Sequence, residues 1–455
     1  MTGSQEALLE FLETGGCGYS PQALDRLWET VPAEMRLTCF NAGTIAEHYR
    51  GALGNRPQDQ RPGLDLSSLP EPVRRELTWC VFRVVDRGGK IHSAKMGMLV
   101  RRVAEVIDDL GDRAPASLTG LGAREWLRLI GQAVHRRTGS LPSVSATQLV
   151  QQQLLRCYQS LWAGYDLRPW WQRELWDPVD DPRIPVRAHE PHGRHTLYFH
   201  HIGAGWLRRG LQWCCKVNLE TSAWAWSTVR DRVSDFAVFD AFLADRDVGQ
   251  VWLADDPSRV RMLMLDFLGH LRTSRVTAKR PAHGQPLSAS RVMKLMISVE
   301  QFYIFMHDHQ QTAAAALAEP GWLRLGPQHT RLFRRGELPR QRRRLHEGEV
   351  ISDGAFSEIM AGIGVLGDRV GDGGLGDEQA MRIAMLLART GRRMNEICML
   401  DHDPLLPVNT PAGGRPDDPG ALVARLRFQQ TKIDGASDTI LVDQEIVSII
   451  RAQQE

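Results

Sequence analysis

From Arg74 to about Leu400 the apolar side chains recur at spacings of three and four, and after residue 420 they alternate one by one. The first pattern belongs to helices that bury one face, the second to a half-buried strand. The chain is therefore expected to be mainly α, with a small β-hairpin late in the sequence. The clearest early helices are Arg74–Asp86, Ala94–Leu110 and Gln148–Trp162, separated by breakers such as Arg87-Gly88-Gly89 and Thr138-Gly139-Ser140-Leu141-Pro142. Residues 1–165 thus read as a helical N-terminal module of unknown role.

Residues 166–199 change character. They hold Trp170, Trp171, Trp176 and several prolines, and read as an irregular linker with packed tryptophans. A loose histidine set, His189, His192, His195, His200 and His201, has neither a helical H-x3-H frame nor a nearby cysteine pair, so no metal site is read there.

Residues 200–335 form a second helical module. Trp206–Val217 is one helix. Thr221-Ser222-Ala223-Trp224 introduces another, with Val229, Val233, Phe236, Phe239 and Phe242 largely on one side. Pro257 opens a helix to Leu271, and Ser288 caps one over Ala289–His307. The stripe Val292, Leu295, Met296, Val299, Phe302, Tyr303 and Met306 on that helix reads as core rather than as a base-stacking platform. Residues 336–350 are an arginine-rich linker without apolar period, expected to be extended.

The third module covers residues 351–455. Asp377 is placed to cap a helix over Glu378–Thr390 that ends at Gly391, and a second helix carries Arg393–Leu400. A Pro/Gly-rich loop, Pro404–Gly420, precedes the hairpin. There Leu422, Ala424, Leu426 and Phe428 face one way, Asp434-Gly435 turns the chain, and Asp438–Val442 returns. Another helix starts at Glu445.

The net charge of +2 conceals a local imbalance. Between Arg259 and Arg344 there are sixteen Lys/Arg against five Asp/Glu, an excess that favours a polyanionic partner. The seven cysteines are odd in number and form no C-x-x-C, which fits reduced thiols; Cys214-Cys215 read as small buried residues of a helix. No apolar run is long enough to span a bilayer, and the N-terminus shows no secretory signal.

Leu386-Leu387-Ala388-Arg389-Thr390-Gly391-Arg392-Arg393-Met394-Asn395-Glu396-Ile397 resembles the first signature box of tyrosine-type site-specific recombinases, the phage integrase family. That box is an apolar helix followed by T-G-x-R-x-x-E, matched here by Thr390, Gly391, Arg393 and Glu396. Further along, the family places a β-hairpin bearing a catalytic lysine. Lys432 sits in the expected hairpin, one of six lysines in the chain and the only one after Lys294. The resemblance covers about residues 200–455, and the larger transposon-encoded integrases look closest. It implies a helical, SAM-like core-binding domain at 200–335 and the first part of an α+β catalytic domain at 351–455.

The resemblance also implies chemistry. A phosphodiester under attack gains charge on its non-bridging oxygens, and a guanidinium donates two aligned hydrogen bonds to them. Arg393 is the implied phosphate ligand, Lys432 the general acid for the leaving oxygen, and Glu396 a supporting residue. Arg392 is expected to point away, although the sequence leaves open which arginine faces the phosphate. Candidate DNA contacts are Arg291, Lys294, Arg334, Arg335, Arg340, Arg342, Arg343 and Arg344. The implied partners are duplex DNA and other protomers on DNA, with no membrane, cofactor or metal, in a bacterial cytoplasm.

The chain departs from the family in one respect. Its tyrosines are Tyr19, Tyr49, Tyr158, Tyr165, Tyr198 and Tyr303, all before Arg393, and no His-x-x-Arg follows Glu445. The covalent nucleophile, the histidine and the second arginine are missing, so this chain alone is expected not to cleave DNA. Two explanations stand: a piece of a longer recombinase, which is preferred, or a non-catalytic DNA-binding regulator on the same scaffold.

Overall fold

The computed structural model describes residues 19–41, 43–53, 63–187, 196–245, 256–276, 283–334, 336–339, 351–407, 422–429 and 437–454. The protein is mainly helical, with small antiparallel sheets. It divides into two compact units, the first running to Ile184 and including Thr196–His201, the second comprising Ile202 onward.

The first unit contains α1 (Pro21–Glu29), α2 (Glu71–Asp86), α3 (Ser93–Leu110), α4 (Ala123–Thr138) and α5 (Val144–Tyr165), with two-residue strand pairs β1 (Cys39–Phe40) with β2 (Leu64–Asp65) and β3 (Leu175–Trp176) with β4 (Leu197–Tyr198). The breakers fall between helices as read, but α2 and α5 begin earlier than expected, at Glu71 and Val144. Ser143 Oγ accepts from the Ala146 N–H at 3.3 Å, and α4 ends on Gly139 in the left-handed region at φ 69°. Val73, Leu77, Leu99, Val103, Trp126, Leu154 and Leu161 form one core. One carboxylate lies inside it. Glu76 accepts from Ser117 Oγ at 2.5 Å, the Leu118 N–H at 2.6 Å and Tyr165 Oη at 2.6 Å, tying α2 to α5 and to the turn between α3 and α4.

The described residues of 166–199 include the β3–β4 pair, which the sequence reading had given as irregular linker, and Trp170 and Trp176 are packed. Trp170 meets Trp176 edge-on at 4.8 Å, Trp176 tilts against Phe199 at 4.5 Å, and a buried Arg173–Asp181 ion pair at 2.8 Å holds the path. Residues 166–184 and 196–201 thereby belong to the first unit. Of the histidine set, His189, His192 and His195 lie outside the described residues, while the rings of His200 and His201 meet at a 45° tilt with centroids 4.0 Å apart. Among the described residues no group of three His, Cys, Asp or Glu side chains could hold a metal, and no helix is long and apolar enough to cross a membrane.

The second unit opens with α6 (Gly205–Glu220), α7 (Trp226–Ala244), α8 (Pro257–Thr273), α9 (Ala289–Asp308) and α10 (Gln310–Leu317). Asp240 of α7 accepts from the Gly203 and Ala204 N–H groups at 2.7 and 2.9 Å, placing a carboxylate at the positive end of α6. The stripe read as core on α9 is buried throughout. Gly210 lets α6 approach closely, since a Cβ there would meet Trp322 at 3.0 Å and Phe302 at 3.1 Å. Cys214 and Cys215 are fully buried, and that burial pushes both thiols well up, keeping them protonated.

The same unit continues with α11 (Asp353–Gly362), α12 (Glu378–Thr390), α13 (Met394–Cys398), β5 (Leu405–Pro407), β6 (Leu422–Phe428), β7 (Asp438–Asp443) and α14 (Gln444–Gln454). The sheet is antiparallel in the order β5-β6-β7, with Leu426 opposite Ile440 and Phe428 opposite Asp438. Ala424, Leu426 and Val442 pack with Leu386, Ile397, Ile446, Val447, Ile449 and Ile450. Strand β5 corrects the sequence reading, which gave Pro404–Gly420 as loop throughout. Three residues are too few to display alternation, and Pro407 is tolerated because the strand is at the sheet edge.

Candidate functional site

The Thr390–Glu396 turn is built by local chemistry. Asp377 Oδ1 accepts from the Ala380 N–H at 2.8 Å and starts α12, while Gly391, at φ 61°, returns its N–H to Leu387 O at 3.0 Å and stops it. Only a residue without a Cβ adopts that φ at little cost. Thr390 Oγ1 donates to Leu386 O at 2.6 Å and accepts from the Arg392 N–H at 3.3 Å, so the chain leaves the helix in one fixed direction.

Arg393 then becomes the N-cap of α13, with extended backbone at φ −72° and ψ 149°. The helix expected over Arg393–Leu400 is shorter for that reason, because a cap residue must leave the helical region. Glu396 at the third helical position accepts from the Arg393 backbone N–H and from Arg393 Nη1, each at 3.1 Å. The carboxylate is 5% exposed and the arginine side chain 54% exposed. The pair thus roots a guanidinium in the core at one nitrogen and leaves its other donors facing water.

Arg392 takes a different course. Its guanidinium lies 4.9 Å from the centre of the Phe428 ring, and its Nε is buried without a hydrogen-bond partner among the described residues. Three other arginines of this region are held by acids. Arg427 reaches Asp401 at 3.4 Å, Arg389 reaches Glu445 at 2.9 Å, and Arg382 reaches Glu378 at 2.6 Å. Lys432 lies outside the described residues.

Of the DNA-contact candidates, Arg291, Lys294 and Arg334 are described; Arg335, Arg340, Arg342, Arg343 and Arg344 lie outside the described residues. Arg291 and Lys294 lie on α9 and are paired with acids of α7. Arg291 Nη1 bonds Asp235, a buried carboxylate that also accepts from Ser298 Oγ at 2.6 Å, and Lys294 Nζ meets Asp231 at 2.6 Å. Their charge is largely balanced where they stand. Arg334 is exposed, and the backbone around it is fixed: Glu300 Oε1 accepts from the N–H groups of Leu332 and Phe333 at 3.1 and 3.3 Å, and Glu337 from that of Arg334 at 2.7 Å. Arg261 of α8 completes this anchor with a 2.5 Å bond to Glu337. The Arg334 N–H and the Arg261 guanidinium hold the Glu337 carboxyl below the usual range.

Sequence reading missed these anchors. Glu337 stands alone among arginines and was visible as an oddity; Glu300 carried no local signal, and the alternation marked Phe428 as inward-facing without pointing to Arg392.

No protein-family model, curated protein or solved structure matches this chain. The reading of its function therefore rests on its own residues.

Proposed function

We propose that this chain is a DNA-binding protein of tyrosine-recombinase type, which grips duplex DNA through residues of about 200–455 and offers Arg393 to a backbone phosphate. The observation that carries the reading is the Arg393–Glu396 pair: one guanidinium, fixed by a buried carboxylate on a short rigid helix, with more than half its surface free. Fixed orientation with open donors is what an oxyanion ligand requires, because the donors then need no reorganisation as charge develops. The basic composition of residues 259–344 and the anchored position of Arg334 support a further grip on the DNA backbone.

In this reading Lys432 is the proton donor to the leaving oxygen, and other protomers assemble on paired DNA sites. The nucleophile belongs to a residue this sequence does not supply, since its tyrosines all precede Arg393. The alternative, a non-catalytic regulator on the same scaffold, predicts the same binding without any role for Lys432.

The deciding experiment is a salt titration of binding to duplex DNA. A protein that neutralises several phosphates loses affinity linearly on a log–log plot, with a slope of about −0.9 per contact. Arg393→Ala is expected to weaken binding and flatten the slope by about one contact. Binding that ignores salt would remove the proposal. A Lys432→Ala chain that behaves as wild type in strand exchange with a tyrosine-bearing recombinase protomer would favour the regulator.

A further inference from the structure

Two arginines stand side by side in one turn, and the structure treats them oppositely. We infer that Arg392 is the positioning residue of this site: it locks the Thr390–Arg393 turn onto the end of β6, so that only Arg393 is presented outward. The inference rests on the reading of Arg393 as the phosphate ligand.

Phe428 is 2% exposed and forms, with Asp438, the last pair in the register of β6 and β7. The Arg392 guanidinium lies over that ring at 4.9 Å, with its Nε buried and without a hydrogen-bond partner among the described residues. A cation kept for a phosphate would hold its donors toward solvent, as Arg393 does. Arg392 instead gives up a donor to cover an aromatic face, a contact that strengthens as the pair is desolvated. The opposite face of the same strand end is held as well. Arg427 donates its backbone N–H to Pro404 O at 2.8 Å and its Nη2 to Asp401 at 3.4 Å. Asp401 and Pro404 follow α13, and Arg392 precedes it. The short helix that Arg393 caps is therefore strapped to β6 from both of its ends, which an isolated five-residue helix could not achieve alone.

The test uses the full chain and two readouts. Amide hydrogen exchange is measured on Gly391–Arg393 and Leu426–Phe428 in Arg392→Gln, Phe428→Leu, the double variant and Phe428→Tyr. Each of the first two should speed exchange about fivefold, the double variant should be no faster than the faster single one, and Phe428→Tyr should keep the wild-type rate. In the DNA salt titration Arg392→Gln should lower affinity a few-fold with the slope intact, whereas Arg393→Ala should lose about 0.9 of slope. The inference is overturned if exchange in these segments is unchanged, or if Arg392→Gln loses slope as Arg393→Ala does. Should the wild-type chain show no salt-dependent DNA binding, the functional proposal falls, and the exchange rates still decide whether Arg392 is the anchor.

Discussion

Arg393 donates to one buried carboxylate twice, through its backbone N–H and through Nη1, with Glu396 accepting both at 3.1 Å. The two ends of this pair are unequal, because Glu396 is buried while Arg393 is half in water. Removing the arginine leaves a buried charge with one backbone donor; removing the acid lets the guanidinium resolvate. Arg393→Ala is accordingly expected to cost about 2–3 kcal/mol, less than a fully buried pair would, and Glu396→Gln about 1 kcal/mol. Urea unfolding of the two variants measures this, and the reverse order would contradict the geometry.

Asp231 and Asp235 hold back two cations of α9. Asp231 is half exposed, so Asp231→Asn should change stability by under about 0.5 kcal/mol while freeing Lys294. Duplex affinity at low salt is expected to rise about threefold, since one repelling charge is lost and one cation released. Asp235 is 1% exposed and also serves Ser298, so Asp235→Ala should destabilise by about 3 kcal/mol. Band-shift titration and thermal melting separate the two effects.

Glu76 should make the first unit sensitive to pH. Burial raises its carboxyl above the usual value, against the pull of the Ser117, Tyr165 and Leu118 donors. A raised carboxyl binds its proton more tightly in the folded state, so the stability it contributes is full below the unfolded value. That contribution is lost as pH rises through the folded value. Unfolding free energy measured upward from about pH 4 should therefore fall more steeply in wild type than in Glu76→Gln. Equal slopes would mean that the three donors offset the burial completely.

The Tyr303 hydroxyl is buried without a hydrogen-bond partner among the described residues, and burial pushes it well up. A phenol that is inaccessible and firmly protonated is no nucleophile. Tyr303→Phe removes an unsatisfied group at nearly constant shape, so stability should stay level or rise by up to about 1 kcal/mol. DNA binding should not change. A loss of stability in calorimetry would reveal a partner for this hydroxyl.

Much of the architecture was legible because it is local. Ser288 and Asp377 cap the helices they precede, Gly391 ends α12, and the alternation through Leu422–Phe428 buries Ala424, Leu426 and Phe428. A cap, a left-handed glycine and a two-residue period depend on neighbours within a few positions, so the sequence contains them outright. The three-residue strand β5 was not legible, because its pairing partner β6 lies beyond the Pro/Gly-rich stretch.

By itself the sequence determined several capped helices, the hairpin strands and the turn that carries Arg393 and Glu396. Tertiary structure alone decided what each cation is free to do: Arg291 and Lys294 are met by acids of another helix, Arg392 by the ring of Phe428, and Arg393 by a carboxylate that leaves it half exposed. Local conformation follows from torsional preference and short-range hydrogen bonds, which read along the chain. The availability of a charge depends on which distant groups desolvate or neutralise it, and only folding brings those groups together.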